Sequence, residues 1–436
     1  MNYSEALDFL YTRLPMFSRI GAAAYKKDLT NIKALCNILG NPQDTFKSIH
    51  IAGTNGKGSV SHMLAAILQT SGYKTGLHTS PHLKDFRERI KVNGQMCPEE
   101  FVIDFVEKIK PYIDSIEPSF FEISVAMAFS FFAEQQIDIA VVETGLGGRL
   151  DSTNIIKPVL SVITNIGYDH MNMLGDTLEK IAFEKAGIIK PGIPVVIGET
   201  HAETRHVFET AAAERRAAIS FAQQHFYAAD WQYKNHNLTV TIADISHDTH
   251  EDFHLDLSGI YQIKNLITVL DAVRHLQQSG FTLPHDAVKQ ALQHVKKITG
   301  LGGRWQLIHT RPDIILDVAH NEDGIKQLTA QLELCTYKQL HIITGMVKDK
   351  EVDKVLSLYP HTASYYFTQA HIPRALPAEE LAAKAAQAGI SGKIFGDVNE
   401  ALQHALQHAS AEDMILICGS VFLVGEVDAG RFAGKN

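Results

Sequence analysis

The sequence predicts an α/β protein built on mainly parallel sheets, and three observations carry that prediction. Short apolar runs, "SIHIAG", "IDIAVVE", "VLSVITN", "PVVIG", "DIILDVAH", "QLHIITG" and "MILICGS", recur along the chain. Segments with helical periodicity, such as "GSVSHMLAAILQTSG", separate them. The runs are almost continuously apolar rather than alternating, as strands covered by helices on both faces must be.

At 436 residues the chain exceeds one ordinary core, so two domains are expected. Apolar residues make up 45% and charged residues 20%, the balance of a soluble globular protein. Forty Lys and Arg against 49 Asp and Glu give a net charge of -9. No global basic field gathers nucleic acid or an anionic membrane, so an anionic ligand must be held locally. The four cysteines, Cys36, Cys97, Cys335 and Cys418, form no CxxC pair and suggest neither a zinc site nor a disulfide framework. A cytoplasmic, monomeric protein is expected. The start, "MNYSEALDFL", lacks a signal peptide's basic and apolar regions. The stretch "ISVAMAFSFFA" is about half the roughly 20 residues that a membrane helix requires.

The first domain is predicted over residues 1–297. Its first strand leads into "HIAGTNGKGSV", His50 to Val60. A phosphate cradle needs glycines that let backbone N–H groups converge, a helix N-terminus behind them, a lysine and a hydroxyl for Mg²⁺. Gly53, Gly56 and Gly58 free the backbone around Thr54 and Asn55, Lys57 supplies charge, and Ser59 supplies the hydroxyl. The helix behind runs through Val60, Leu64, Ile67 and Leu68. The loop departs from G-x-x-x-x-G-K-[ST], with Ile51 in place of the first glycine and Gly58 between lysine and serine. It predicts a bound nucleoside triphosphate, and the absence of N-K-x-D speaks against GTP. Such a loop decides the cofactor and leaves the reaction open.

Further along, "TSPHLKDFRERIKVNG" offers Ser80 as an oxygen donor to magnesium at another strand end. "VVETGLGGRLDSTN" places Glu143 at the tip of an apolar strand, where open parallel sheets bind ligands, and makes it a candidate Mg²⁺ ligand; a helix-capping role is the alternative. "VITNIGYDHMNMLGDTLEKIAFEKAG" puts His170 after a strand, Asp176 as the expected helix cap, and Lys185 near that helix's end. A lysine beside a metal is repelled unless it is modified. Over about 221–257 the pattern changes to an antiparallel excursion, with alternation clearest in "NLTVTIA". The helix "YQIKNLITVLDAVRHLQQSG" follows, and the glycine-rich "ITGLGGRW" reads as the linker to a smaller second domain, 298–436. There Arg304, Asp317, His320 and Ser420 stand at strand ends or in the linker.

Taken together, "HIAGTNGKGSV", "TSPHL…ERI", "FEISVAMAF", "ETGLGGRLDSTN", "TNIGYDHMNMLGDTLEKIAFEKAGIIKPGIPVV", "GRW", "LDVAHNEDG" and "GSVFLVGEV" resemble, in order, the folylpolyglutamate synthase/dihydrofolate synthase family of the Mur ligase superfamily. The resemblance implies a P-loop Mur-ligase-like central domain with a smaller Rossmann-like C-terminal domain. It implies ATP and Mg²⁺ as cofactors, and small-molecule partners only: a dihydropteroate or reduced folate, L-glutamate and ATP. The implied reaction makes an acyl phosphate that the glutamate amine attacks. The residues implied for ATP are Gly53, Thr54, Asn55, Gly56, Lys57, Gly58, Ser59, Asn265, Arg304, Asp317 and His320. Those for metal are Ser59, Ser80, Glu143, His170 and Lys185, the last as a carbamate; Lys57, His170 and Lys185 are implied in catalysis, and His320 and Ser420 for glutamate. This chain has Val125 where the family often has threonine, and Tyr261 where it has histidine. The alternatives are a ligase of UDP-sugar peptides, which the extra Gly58 disfavours, and an ATP-gated binding protein that forms no bond.

Overall fold

The computed structural model describes residues 1–16, 28–348 and 351–432. The chain divides into two compact units, one of residues 1–232, 239–256 and 262–301, the other of 233–238, 257–261 and 302–436. The expected boundary near Lys297 thus moves to Leu301 and Gly302. Two short segments, 233–238 and 257–261, also leave the first unit, a long-range assignment that local composition does not carry.

The first unit holds an eight-stranded sheet of β1 (Lys47–Ala52), β2 (Thr75–His78), β3 (Ile90–Val92), β4 (Gln95–Met96), β5 (Ile139–Glu143), β6 (Leu160–Ile163), β7 (Val195–Ile197) and β8 (Ile219–Phe221). Their order is β4-β3-β2-β5-β1-β6-β7-β8. From β2 to β8 every neighbouring pair is parallel, while β3 and β4 add an antiparallel edge. Every residue of β5 and β6 is buried, as the continuous apolar runs require. Residues 226–255 form a separate three-stranded sheet of β9 (Phe226–Lys234), β10 (Asn237–Asp244) and β11 (Thr249–Leu255), in the order β11-β10-β9.

The helix Lys57–Thr70 is buried on every side from Ser59 to Leu68, more than an amphipathic surface helix would be. The helices Gln262–Gln278, His285–Leu292 and Val295–Thr299 pack over it. The helix Phe120–Glu134 starts with a capping box, in which the Ser119 hydroxyl accepts from Glu122 N at 3.2 Å and the Glu122 carboxylate accepts from Ser119 N at 2.7 Å. The cap of the helix Leu178–Ala186 is Thr177 and not Asp176, since Thr177 has the extended backbone a cap requires and its side chain accepts from Lys180 N. Asp176 instead takes the Lys180 ammonium at 2.7 Å. No helix among the described residues is long and apolar enough to cross a membrane.

The second unit holds a six-stranded sheet of β12 (Gln306–His309), β13 (Asp313–Leu316), β14 (Leu340–Thr344), β15 (Ser364–Phe367), β16 (Gly392–Ile394) and β17 (Met414–Cys418), ordered β12-β13-β17-β14-β15-β16. Only β12 runs antiparallel to its neighbour. Its core gathers Trp305, Ile315, Ile342, Phe367 and Leu416.

Candidate active site

The glycine loop joins the end of β1 to the helix Lys57–Thr70, and its conformation is fixed from the neighbouring strand end. Gly53 and Gly56 have φ of 153° and 82°, and a Cβ would meet Thr164 Oγ1 at the first and Asn265 Oδ1 at the second. Both positions therefore demand glycine on two counts. Thr164 Oγ1 donates to Asn55 O at 2.6 Å, Asn55 N donates to Asn165 Oδ1 at 2.8 Å, and Gly167 N donates to Thr54 Oγ1 at 3.0 Å. The sequence did not point to Asn165; its one signal is a position just after the strand "VLSVIT".

Lys57, in the first turn of the helix, donates to Gly53 O at 3.0 Å and Thr54 O at 3.1 Å. Ser59 Oγ accepts from Gln262 Nε2 at 3.1 Å, and Gln262 Oε1 in turn accepts from Asn265 Nδ2 at 2.8 Å. Asn265 thus belongs to the loop's surroundings, and Gln262 is the intermediary that sequence reasoning passed over.

Glu143 ends β5 and is almost fully buried. Its Oε2 accepts from Ser80 N at 3.2 Å, so the two strand ends meet. Among the described residues no three His, Cys, Asp or Glu side chains converge to hold a metal by themselves. The oxygen donors on offer are the hydroxyls of Ser59 and Ser80 and the Glu143 carboxylate, a sparse set that suits magnesium, which keeps waters and shares phosphate oxygens.

His170 precedes the short helix Met171–Leu174 with a left-handed backbone, φ 51°, and its Nε2 lies 3.8 Å from Asp169 Oδ1. Lys185 is 4% exposed and donates to Gly53 O at 2.8 Å. One carbonyl therefore receives two ammonium groups, those of Lys57 and Lys185. Burial first, and then the Lys57 charge, push Lys185 down to about 7, while Asp169 and Asp151 pull the other way. Asp151 is a further residue that sequence reasoning did not single out. Its carboxylate accepts from Leu146 N at 2.8 Å and from Thr153 N at 3.0 Å, which shapes the glycine turn after Glu143.

In the second unit, Asp317 follows β13 and is 2% exposed. Its Oδ2 accepts from Tyr261 Oη at 2.7 Å and from Trp305 N at 2.8 Å, and its Oδ1 accepts from Ala319 N at 2.9 Å. These bonds pin Trp305, whose φ is 44°, beside Arg304, whose Nη1 donates to Gly303 O at 3.2 Å. His320 Nδ1 bonds Val318 O at 2.9 Å, and Ser420 caps the short helix Val421–Gly425 by accepting from Phe422 N at 3.2 Å. Tyr261→Phe removes one hydrogen bond to a buried carboxylate and should lower stability by about 1.5–3 kcal/mol. Denaturant unfolding with an unchanged midpoint would show that the Tyr261–Asp317 bond contributes nothing.

The chain matches two family models, the Mur ligase middle domain over residues 51–273 and the Mur ligase glutamate ligase domain over residues 303–421. It is 33% identical to a dihydrofolate synthase/folylpolyglutamate synthase of Bacillus subtilis, with 98% of each chain covered. It is 30% identical to a folylpolyglutamate synthase of Lacticaseibacillus casei over the full length of both. Among solved structures, Escherichia coli FolC in complex with DHPP and ADP superposes with a TM-score of 0.84 at 30% identity, with 99% of each chain covered. A bifunctional folylpolyglutamate synthase/dihydrofolate synthase with Mn, AMPPNP and L-glutamate bound superposes with a TM-score of 0.82 at 27% identity, covering 99% of this chain and 98% of the other. Motif order, strand-end geometry and full-length similarity agree, and the chain belongs to the folylpolyglutamate synthase/dihydrofolate synthase family of Mur ligases.

Proposed function

We propose that this chain is an ATP-dependent ligase that adds L-glutamate to the carboxylate of a pteroate or folate, and that it accepts both dihydropteroate and reduced folates. The observation that carries the reading is the glycine loop, with its two lysines on the Gly53 carbonyl and the Glu143–Ser80 contact beyond it. The acceptor carboxylate takes the γ-phosphoryl group, giving an acyl phosphate and ADP; the glutamate amine then attacks the acyl carbon, and phosphate leaves as the amide forms.

The backbone from Gly53 to Ser59 receives the phosphates at a helix N-terminus. Lys57 offsets the charge on the migrating phosphoryl group. Ser59, Ser80 and Glu143 would hold a first magnesium ion, and His170 with Lys185, the latter as a carbamate, a second. Magnesium supplies charge neutralisation of the phosphate oxygens. Asn265 keeps Gln262 on the Ser59 hydroxyl and contacts the nucleotide. Arg304, Asp317 and His320 are assigned to ATP by the family resemblance, and His320 and Ser420 to L-glutamate.

Phosphate release, measured with dihydropteroate or with a reduced folate, each with and without L-glutamate, tests the reading. Release that needs both glutamate and an acceptor is the expected result. Activity with only one acceptor would remove the dual assignment. Phosphate release without any amide product would remove the ligase reading altogether.

A further inference from the structure

The hairpin of β9 and β10 closes in a tight two-residue turn. Asn235 and His236 are both left-handed, with φ of 49° and 59°, the pair of conformations that gives a hairpin a fixed twist and register. The turn therefore fixes where Tyr233, the next-to-last residue of β9, presents its side chain. Residues 233–238 group with the second unit, and the Tyr233 ring packs against that unit's core. His236 Nε2 lies 2.9 Å from Asp313 Oδ2 at the start of β13. Tyr233 Oη accepts from Trp305 Nε1 at 2.9 Å and stands 3.4 Å from His236 Nδ1.

Trp305 needs what this tip supplies. A bulky aromatic residue in the left-handed region is strained, and the conformation persists only where the surroundings over-determine it. Trp305 has φ of 44° and is 1% exposed. Asp317 holds its backbone N–H and Tyr233 holds its indole N–H, one bond at each end of the residue. Backbone and side chain are thereby both set, and with them the direction in which the preceding residue, Arg304, leaves the chain. A buried indole N–H needs a partner wherever it sits. This one locks a strained residue that adjoins Arg304 and is bonded to Asp317, the two residues of this segment that the resemblance assigns to ATP.

We propose that Tyr233 is a positioning residue for the nucleotide: from the hairpin tip it holds the Trp305 indole, and through the strained Trp305 backbone it presets Arg304 for ATP. The role rests on the ligase reading above, because that reading gives Arg304 to the nucleotide. Tyr233 acts through Trp305 and not by contact with a reactant.

Two measurements test it. The first is a double-mutant cycle on Mg-ATP binding with Tyr233→Phe, Trp305→Phe and the double variant. Tyr233→Phe keeps the ring and removes only the hydroxyl, while Trp305→Phe keeps an aromatic ring and removes the N–H. Each should raise the Kd for Mg-ATP roughly threefold to tenfold. The double variant should bind no more weakly than the weaker single one, because either change alone breaks the same bond. A general loss of stability would lower the active fraction and leave the Kd of the folded molecules unchanged. The second measurement needs no variant. Linkage is reciprocal, so a bond that tightens nucleotide binding is itself tightened by the nucleotide. The chain has two tryptophans, Trp231 at 40% exposure and Trp305 at 1%, so ¹⁵N-indole labelling distinguishes them. Exchange of the Trp305 indole N–H with D₂O should slow by about threefold or more on saturation with Mg-ATP. Unchanged exchange, a folded Tyr233→Phe whose Kd stays within about twofold of wild type, or single losses that multiply in the double variant would each overturn the proposal. If the wild type binds Mg-ATP and makes no amide, the ligase reading fails, and both measurements still decide the role of Tyr233.

Discussion

Replacing Lys57 by alanine should lower the rate of amide formation by roughly 10²–10³, the usual cost of removing one preorganised donor from a site where charge develops. The fold should survive. The loop backbone is held by Thr164, Asn165 and Thr54, none of which needs the lysine, and the helix behind it is buried from Ser59 to Leu68. Lys57 itself is half-buried and donates to two carbonyls of its own loop, those of Gly53 and Thr54. Circular dichroism and thermal unfolding should match the wild type, while single-turnover phosphate release collapses. A variant that keeps activity within about threefold would take Lys57 out of the mechanism.

The two lysines of the site were legible in the sequence to different depths. Lys57 is local: its glycines, strand and helix lie within a dozen residues, so spacing alone proposes the cradle. Lys185 lies far from that loop in sequence, and its contact with Gly53 O is created by strand order, with β6 seated directly beside β1. The same limit explains Asn165 and Gln262, each of which acts through a partner supplied by a distant segment. The parallel sheet was legible because continuous apolar runs can only be covered strands. Its antiparallel edge was not, since β3 and β4 span only Ile90–Val92 and Gln95–Met96, too short to show a period. The cap at Thr177 was missed because two adjacent residues, Asp176 and Thr177, could each have supplied it, and backbone conformation chose between them.

Lys185 should carry a carbamate, and Lys185→Ala should lose activity to a similar extent as the Lys57 variant. A lysine that is 4% exposed and shares a carbonyl with a second ammonium is poorly placed to remain charged. Its folded value lies near 7 against an ordinary 10.5, lowered by burial and by Lys57. The sign follows from linkage: the unfolded chain takes up the proton first as pH falls, so an unmodified Lys185 costs stability progressively from about pH 10.5 down to about pH 7, and the full penalty remains below that. Near neutrality a large share of the side chain is the free amine, which attacks CO₂; the new N–C bond gives a carbamate, and one proton leaves to solvent. The product replaces a repelled cation with an anionic oxygen donor of the kind a hard metal prefers. Incubation with ¹³C-bicarbonate should therefore give a carbamate carbon resonance that is absent from Lys185→Ala. Short carboxylates such as acetate or formate, added to that variant, should restore part of its activity by placing an oxygen anion where the carbamate stood. Wild-type protein that shows a bare amine under bicarbonate, together with a fully active alanine variant, would defeat the assignment.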